Sequence, residues 1–273
     1  MTKTDQSITG QLMRIHGIDV AKYDADFLEK SLQRRVAETG CGSREEYCHV
    51  LDESRGEATS FIASLQISYS EFFRNPLSFA LLERLVLPSI VQKKKNARHK
   101  EIRIWSAACA GGQEAYSLAI LLEELSKRDR HNFRYRIIAT DQSELQVQEA
   151  KRGRYAAAAL NNLSLKRAGE WFTRQDDIYT VKPELKKNID FSTFDLFDQE
   201  MICPSASIFG DFDLVICANI LFYYQDEGQK IILRKVVNSL SEDGYLMTGE
   251  AERAIVLRAH HHEIFPSSAI FRK

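Results

Sequence analysis

The 273-residue chain lacks any apolar run approaching the roughly 20 residues that span a bilayer, and its opening stretch, MTKTDQSITG, has no apolar core of a secretory leader. Membrane insertion and export are therefore not expected, and the cytoplasm is the expected compartment. Cysteine is sparse. Cys41, Cys48, Cys109, Cys203 and Cys217 are odd in number and contain no CxxC pair, so neither a disulfide framework nor a zinc site is indicated. Charge of one sign is also missing: the formal net charge is -1, which leaves no global field to draw in nucleic acid or an anionic membrane. The run His260-His261-His262 does not read as a metal site, because consecutive side chains point in different directions. The basic run Lys93-Lys94-Lys95, continuing to Arg98 and Lys100, reads as a solvated loop.

What is present is a change of grammar along the chain. Up to about Leu65 the periodicity predicts only short helices: Gln11 to Ile15, Ala25 to Glu38 with a stripe through Phe27, Leu28, Leu32 and Val36, Arg44 to Leu51, and Glu57 to Leu65. A longer amphipathic helix is expected over Pro76 to Gln92. Strands and helices then alternate: strands over Glu101 to Ala107, Tyr135 to Thr140, Asp190 to Phe194, Phe212 to Cys217 and Tyr245 to Thr248, with helices over Glu114 to Lys127, Ser143 to Lys151 and Glu227 to Leu240. Such alternation predicts right-handed crossovers and a mainly parallel sheet, closed by a C-terminal antiparallel hairpin around Pro266-Ser267-Ser268. The segment from Ala168 to Asn188 breaks the alternation and suggests a small antiparallel excursion. The expected organisation is a helical domain over 1–66, a connecting segment and helix over 67–92, and an α/β, Rossmann-like domain over 93–273 with a small insertion at 168–188.

The chemistry concentrates where strands end. WSAACAGGQEAYS places Gly111 and Gly112 between the first strand and its helix, with Glu114 in the first helical turn. Glycine lets a backbone approach a ligand closely at the carboxyl rim of an open sheet. A diphosphate there would be repelled by Glu114, and the pattern is not GxGxxG, so a nicotinamide dehydrogenase is disfavoured. A cationic nucleoside without phosphates fits better, with S-adenosylmethionine the leading candidate. Asp141, after the second strand, is placed to accept ribose hydroxyls. Asp195 and Leu196, then Asn219, Ile220 and Tyr223, follow later strands at the same rim. The alternatives are that Glu114 complements its helix dipole, that Asp141 and Asn219 cap turns or helices, and that Tyr223 is packed core.

Several segments together resemble the chemotaxis receptor methyltransferases, the CheR family. SYSEFFRNP (Ser68 to Pro76) is similar to the family's N-x-T-x-FFR motif, WSAACAGGQEAYS to SAA-x-x-x-G-[EQ]-E-[PA]-YS, CANILFYY to C-R-N-V-[ML]-I-YF, and DGYLMTGEAE to P-x-G-x-L-x-x-G-x-x-E; ATD (Ala139 to Asp141) and FDLF (Phe194 to Phe197) also match, in the family's order. The resemblance implies a class I methyltransferase fold carrying a helical N-terminal domain, S-adenosylmethionine as cofactor with S-adenosylhomocysteine as product, and transfer to glutamate side chains on chemoreceptor cytoplasmic helices. It further implies that Ser68, Ser70, Arg74, Glu114, Asp141, Asp195, Leu196, Asn219 and Ile220 hold the cofactor, that Arg74 holds the incoming carboxylate, and that Tyr223 lines the transferred methyl. The expected partner is a receptor cytoplasmic domain, with no nucleic acid, and a monomer is expected.

The chain departs from the family's pattern in places. Ser68 and Ser70 stand for Asn and Thr, Ala218 for an Arg, and Glu38 for a common basic residue after Arg34 and Arg35; Phe172 to Leu185 is short for a receptor-peptide subdomain. Two alternatives stay open: a methyltransferase acting on another protein or small molecule, and a binding module that senses the cofactor without transfer.

Overall fold

The computed structural model describes residues 3–66, 69–97, 99–129, 133–207 and 210–273. The chain divides into two compact units, Met1–Ile67 with Leu221–Lys230, and Ser68–Ile220 with Ile231–Lys273.

The first unit contains α1 (Lys3–His16), α2 (Ala25–Thr39), α3 (Arg44–Glu53) and α4 (Arg55–Ser64). Their limits follow from local chemistry. Asp24 accepts the Phe27 N–H to start α2, and Gly40, at φ 74°, ends it in the left-handed region that glycine enters freely. Ser43 starts α3 in the same way, and Ser54 both ends α3 and starts α4. Leu12, Leu32, Tyr47, Leu51, Ala58 and Phe61 fill the core. The basic side of α2 is spent internally: Arg35 pairs with Glu57 at 2.7 Å and Glu38 at 2.8 Å, and the buried Tyr47 hydroxyl donates to Glu57 at 2.7 Å. Residues 221–230 join this unit by stacking Tyr224 on Tyr23, ring centroids 5.1 Å apart, and by an Asp24 N–H donated to the Tyr223 carbonyl at 2.8 Å.

The second unit opens with α5 (Pro76–Leu81), a π-helical turn (Leu82–Val86) and α6 (Leu87–Asn96). The single helix expected over Pro76 to Gln92 is thus widened in its middle. Pro88, at the start of α6, has no N–H to give the preceding turn, which explains the switch. The lysine run is a second correction. It forms the last turn of α6, where cations suit the helix dipole, and Lys94 meets Asp213 at 3.0 Å while Lys93 meets Asp243 at 2.9 Å.

The strands and helices that follow are β1 (Glu101–Ala107), α7 (Gln113–Asp129), β2 (Arg134–Asp141), α8 (Glu144–Arg152), β3 (Arg154–Ala156), α9 (Leu165–Trp171), β4 (Phe172–Gln175), β5 (Ile178–Val181), α10 (Pro183–Lys186), β6 (Ile189–Thr193), β7 (Phe212–Ile216), α11 (Asp226–Asn238), β8 (Leu240–Met247), α12 (Arg253–Arg258), β9 (His262–Glu263) and β10 (Ile270–Arg272). The main sheet runs β6-β2-β1-β7-β8-β10-β9, with β6 to β8 parallel and the last two pairings, β8 with β10 and β10 with β9, antiparallel, as the alternation and the terminal hairpin predicted. β3, β5 and β4 form a separate antiparallel sheet, so the excursion recruits a strand lying before Ala168. Between β6 and β7 no helix appears among the described residues. That coil is pinned instead by Lys235, whose ammonium donates to the carbonyls of Asp198 and Met201, and by the Arg103 guanidinium on Ser207.

Register matters most for function. Asp141 lies opposite Thr193, Ala107 opposite Thr140, Ser106 opposite Ile216, and Ile216 opposite Met247. The turns after β6, β2, β1, β7 and β8 therefore leave from one level of one rim, and the strand order reverses beside β1, the usual place for a ligand cleft.

Asp213 also accepts the Arg103 N–H at 2.9 Å, and both it and Lys94 are largely shielded from water. Asp213→Ala leaves that lysine unpaired and is expected to cost about 3 kcal/mol of stability; a urea midpoint that hardly moves would show that the pair does not tie α6 to the sheet.

Candidate functional site

The turn after β1 is shaped by backbone strain that its surroundings hold in place. Ala108, Ala110 and Gly112 have φ of 79°, 44° and 89°. Non-glycine residues in this region cost on the order of 1 to 3 kcal/mol each and persist where neighbours over-determine them. Here the Ala108 and Cys109 N–H groups both donate to the Thr140 carbonyl at 2.8 Å, and the Tyr155 hydroxyl, arriving from the small sheet, donates to the Gly111 carbonyl at 2.6 Å. At Gly112 a Cβ would sit 2.8 Å from the Ala150 Cβ, so α8 packs against bare backbone.

Two carboxylates flank this turn. Asp141 accepts the Ala110 N–H on Oδ2 and the Ser143 N–H on Oδ1, each at 2.9 Å. Burial pushes its pKa up, and the backbone donors oppose the rise. The cap of α8 is Ser143, which accepts the Gln146 N–H, so Asp141 is left facing the rim with acceptor capacity remaining on each oxygen. Glu114 accepts one hydroxyl, that of the buried Ser106, at 2.6 Å. Burial pushes its pKa up to about 7; the Ser106 bond opposes that, the charge of Glu252 adds to it, and the Arg74 charge lowers it.

Arg74 is held by an anchored segment. Phe72 and Phe73 are buried, the Phe73 N–H donates to Ser117 Oγ at 3.0 Å, and Phe73 and Asn75 have φ of 50° and 62°. Between them Arg74 donates to the Tyr69 carbonyl at 3.1 Å and lies over the Tyr69 ring at 5.2 Å. Among the described residues it forms no ion pair. Ser70 is half-buried, and Ser68 lies outside the described residues.

On the other side of β1, Asn219 has φ 63°, and its N–H and that of Ile220 donate to the Glu252 carboxylate at 2.7 and 2.5 Å. Asp195 is exposed and accepts the Phe197 N–H at 2.8 Å; Leu196 is buried, and the Phe194 N–H reaches the Asp141 carbonyl at 3.0 Å. Tyr223 belongs to the first unit, where its ring lies 4.8 Å from that of Phe27. Sequence reasoning missed Ser106, Gln113, Tyr155 and Glu252. Glu252 was visible as the closing acid of DGYLMTGEAE, where it matches the last residue of the family's G-x-x-E, but nothing in that match gave it a role.

The donor set suits a cationic nucleoside. Gln113 Oε1 is buried without a hydrogen-bond partner, and with Glu114 and Asp141 it makes the glycine turn rich in acceptors, as a sulfonium, an ammonium and ribose hydroxyls require. A doubly wound sheet with this rim defines a Rossmann-like site of the class I methyltransferase type. Comparison with known proteins makes the assignment specific: residues 68–269 match the CheR methyltransferase SAM-binding domain, and residues 6–65 the CheR methyltransferase all-alpha domain. The chain is 30% identical to a chemotaxis protein methyltransferase of Borreliella burgdorferi, over 86% of this chain and 83% of that protein. It is 28% identical to chemotaxis protein methyltransferase 1 of Pseudomonas aeruginosa, over 93% and 91%, and 29% identical to the Escherichia coli chemotaxis protein methyltransferase, over 86% and 79%. The chain belongs to the CheR methyltransferase family, and it is an S-adenosylmethionine-dependent methyltransferase. No helix among the described residues is long and apolar enough to cross a membrane, and no group of metal-binding side chains occurs among them.

A buried acid with a raised pKa binds a proton in the folded state that the unfolded chain has released, so its contribution to stability falls as pH rises. Between the ordinary glutamate value near 4.5 and about 7, the ligand-free protein is expected to lose stability through Glu114. Glu114→Gln should flatten that part of a urea-denaturation profile; an unchanged slope would show that Glu114 is not the group that titrates.

Proposed function

We propose that the protein transfers the methyl group of S-adenosylmethionine to glutamate side chains on the cytoplasmic helices of chemoreceptors, acting as a cytoplasmic monomer. The observation that carries this reading is the pairing of an acid-rich, phosphate-averse glycine turn with a guanidinium, Arg74, that has no ion pair among the described residues and whose charge reaches Glu114. A glutamate substrate is ionised at neutral pH, so the reaction needs no strong general base. It needs alignment and the exclusion of water.

When bound, S-adenosylmethionine supplies an electrophilic methyl on a sulfonium. The chain's own residues do the rest. Glu114 and Asp141 would hold the cationic and hydroxyl ends of the cofactor, and Ser70, Asp195, Leu196, Asn219 and Ile220 would complete its site; Ser68, which the resemblance also assigns to it, lies outside the described residues. Arg74 would orient the incoming carboxylate. A second reading, a different protein substrate, is favoured by Arg35, whose charge is taken up by Glu57 and Glu38 and so is not offered to an acidic partner.

Incubation with labelled methyl donor and receptor cytoplasmic fragments should yield label that leaves as methanol in base. Asp141→Ala should weaken cofactor binding about tenfold or more, as loss of a buried acceptor implies, and Arg74→Ala should lower turnover about 100-fold, the scale of one lost charge-positioning group. Base-stable label would favour the other-substrate reading, and binding without transfer would make the protein a sensor.

A further inference from the structure

The rim contains a third acid, Glu252, whose carboxylate is wholly buried. Three backbone N–H groups converge on it: Oε2 accepts those of Asn219 at 2.7 Å and Gly249 at 2.8 Å, and Oε1 accepts that of Ile220 at 2.5 Å. These donors come from two turns, one after β7 and one after β8, strands that run parallel and side by side. We infer that Glu252 is a positioning residue for the cofactor: it ties the two turns together and fixes the Asn219–Ile220 backbone in the conformation that faces the ligand. The inference rests on reading this rim as the cofactor cleft.

The local geometry shows why the position requires an acid. Three donors share two oxygens, and only a carboxylate presents acceptors to all of them. Glutamine would set an amide N–H against a backbone N–H and leave a buried donor unsatisfied. The held conformation is itself unusual, since Asn219 at φ 63° lies in the left-handed region, which asparagine tolerates better than most residues. Gly249 completes the arrangement. A Cβ there would come within 2.5 Å of Asn219 Nδ2 and 3.0 Å of Glu252 Oε2, so the Asn219 amide lies flat against bare backbone. Glu252 therefore sets both the main chain and, through Gly249, the side chain of the turn. The ladder between β7 and β8 does not include it: Val215 lies opposite Leu246 and Ile216 opposite Met247. Its loss is expected to act on ligand affinity more than on the fold.

The test uses the full chain with Glu252→Gln, read in two ways. Nuclear magnetic resonance reports the amide protons of Asn219, Ile220 and Gly249, which a charged acceptor shifts downfield and protects from exchange; in the variant they should move upfield and exchange faster. Calorimetry with S-adenosylhomocysteine should show a dissociation constant raised about tenfold or more, matched by KM for the methyl donor, while kcat at saturation stays within about threefold, because the reacting groups are untouched. Displaced amides with wild-type affinity would overturn the inference, as would unmoved amides. If the wild-type protein binds neither S-adenosylmethionine nor S-adenosylhomocysteine, the functional reading fails instead. If the glutamine variant does not fold, Glu252→Asp decides: it keeps the charge but withdraws the carboxylate by one methylene from the three N–H groups, and it should displace those amides and reproduce the affinity loss, whereas displaced amides with wild-type affinity would contradict the role assigned here.

Discussion

A carboxylate removed from water must be held by donors or by a cation, and this constraint organises the rim of the sheet. Three acids meet it there in different ways. Glu252 draws in three backbone N–H groups. Asp141 accepts the N–H groups of Ala110 and Ser143. Glu114 has one hydroxyl, that of Ser106, and its pKa rises to about 7. The difference in satisfaction is a difference in role. Glu252, fully engaged, shapes the backbone, Asp141 does so while keeping acceptor capacity at the rim, and Glu114 has one hydroxyl partner, which is why the function proposed above gives it the cation.

The acids depend in turn on a strained loop. Ala108, Ala110 and Gly112 hold left-handed φ because the carbonyl of Thr140, the hydroxyl of Tyr155 and the close face of α8 leave no relaxed alternative. The small antiparallel sheet contributes here too, and its Tyr155, Phe172 and Val181 share the core of the main sheet. Tyr155, on β3, meets the Phe72 ring edge-on at 5.0 Å while its hydroxyl holds the Gly111 carbonyl, so one side chain links the FFR segment to the glycine turn.

Much of this was legible in the amino-acid order because it is written in local signals. Alternating periodicities gave the sheet, Gly111 and Gly112 marked the turn, and acids directly after strands marked the rim. What the sequence left hidden depends on convergence in space. Glu252 lies 33 residues from Asn219, and nothing local shows that its carboxylate meets that backbone. Strand β3 is three residues long, too short for an alternation to be read, and finds its partner in β5 only after α9 and β4 intervene. The lysine run looked like a loop because its counter-charges, Asp213 and Asp243, lie far along the chain. Residues 221–230 carried no sign that they pack with Tyr23 and Phe27.

The central claim, that an incompletely satisfied acid at the rim receives the cationic end of S-adenosylmethionine, has a direct thermodynamic signature. With its pKa raised to about 7, Glu114 is partly protonated near neutral pH in the ligand-free protein and must ionise to pair with the cation. Calorimetric titration with S-adenosylmethionine, repeated in buffers of different ionisation enthalpy, should therefore report net proton release on binding at pH 7, and Glu114→Gln should abolish it. Tight binding with no proton release in the wild-type protein, or the same release in the variant, would contradict the claim.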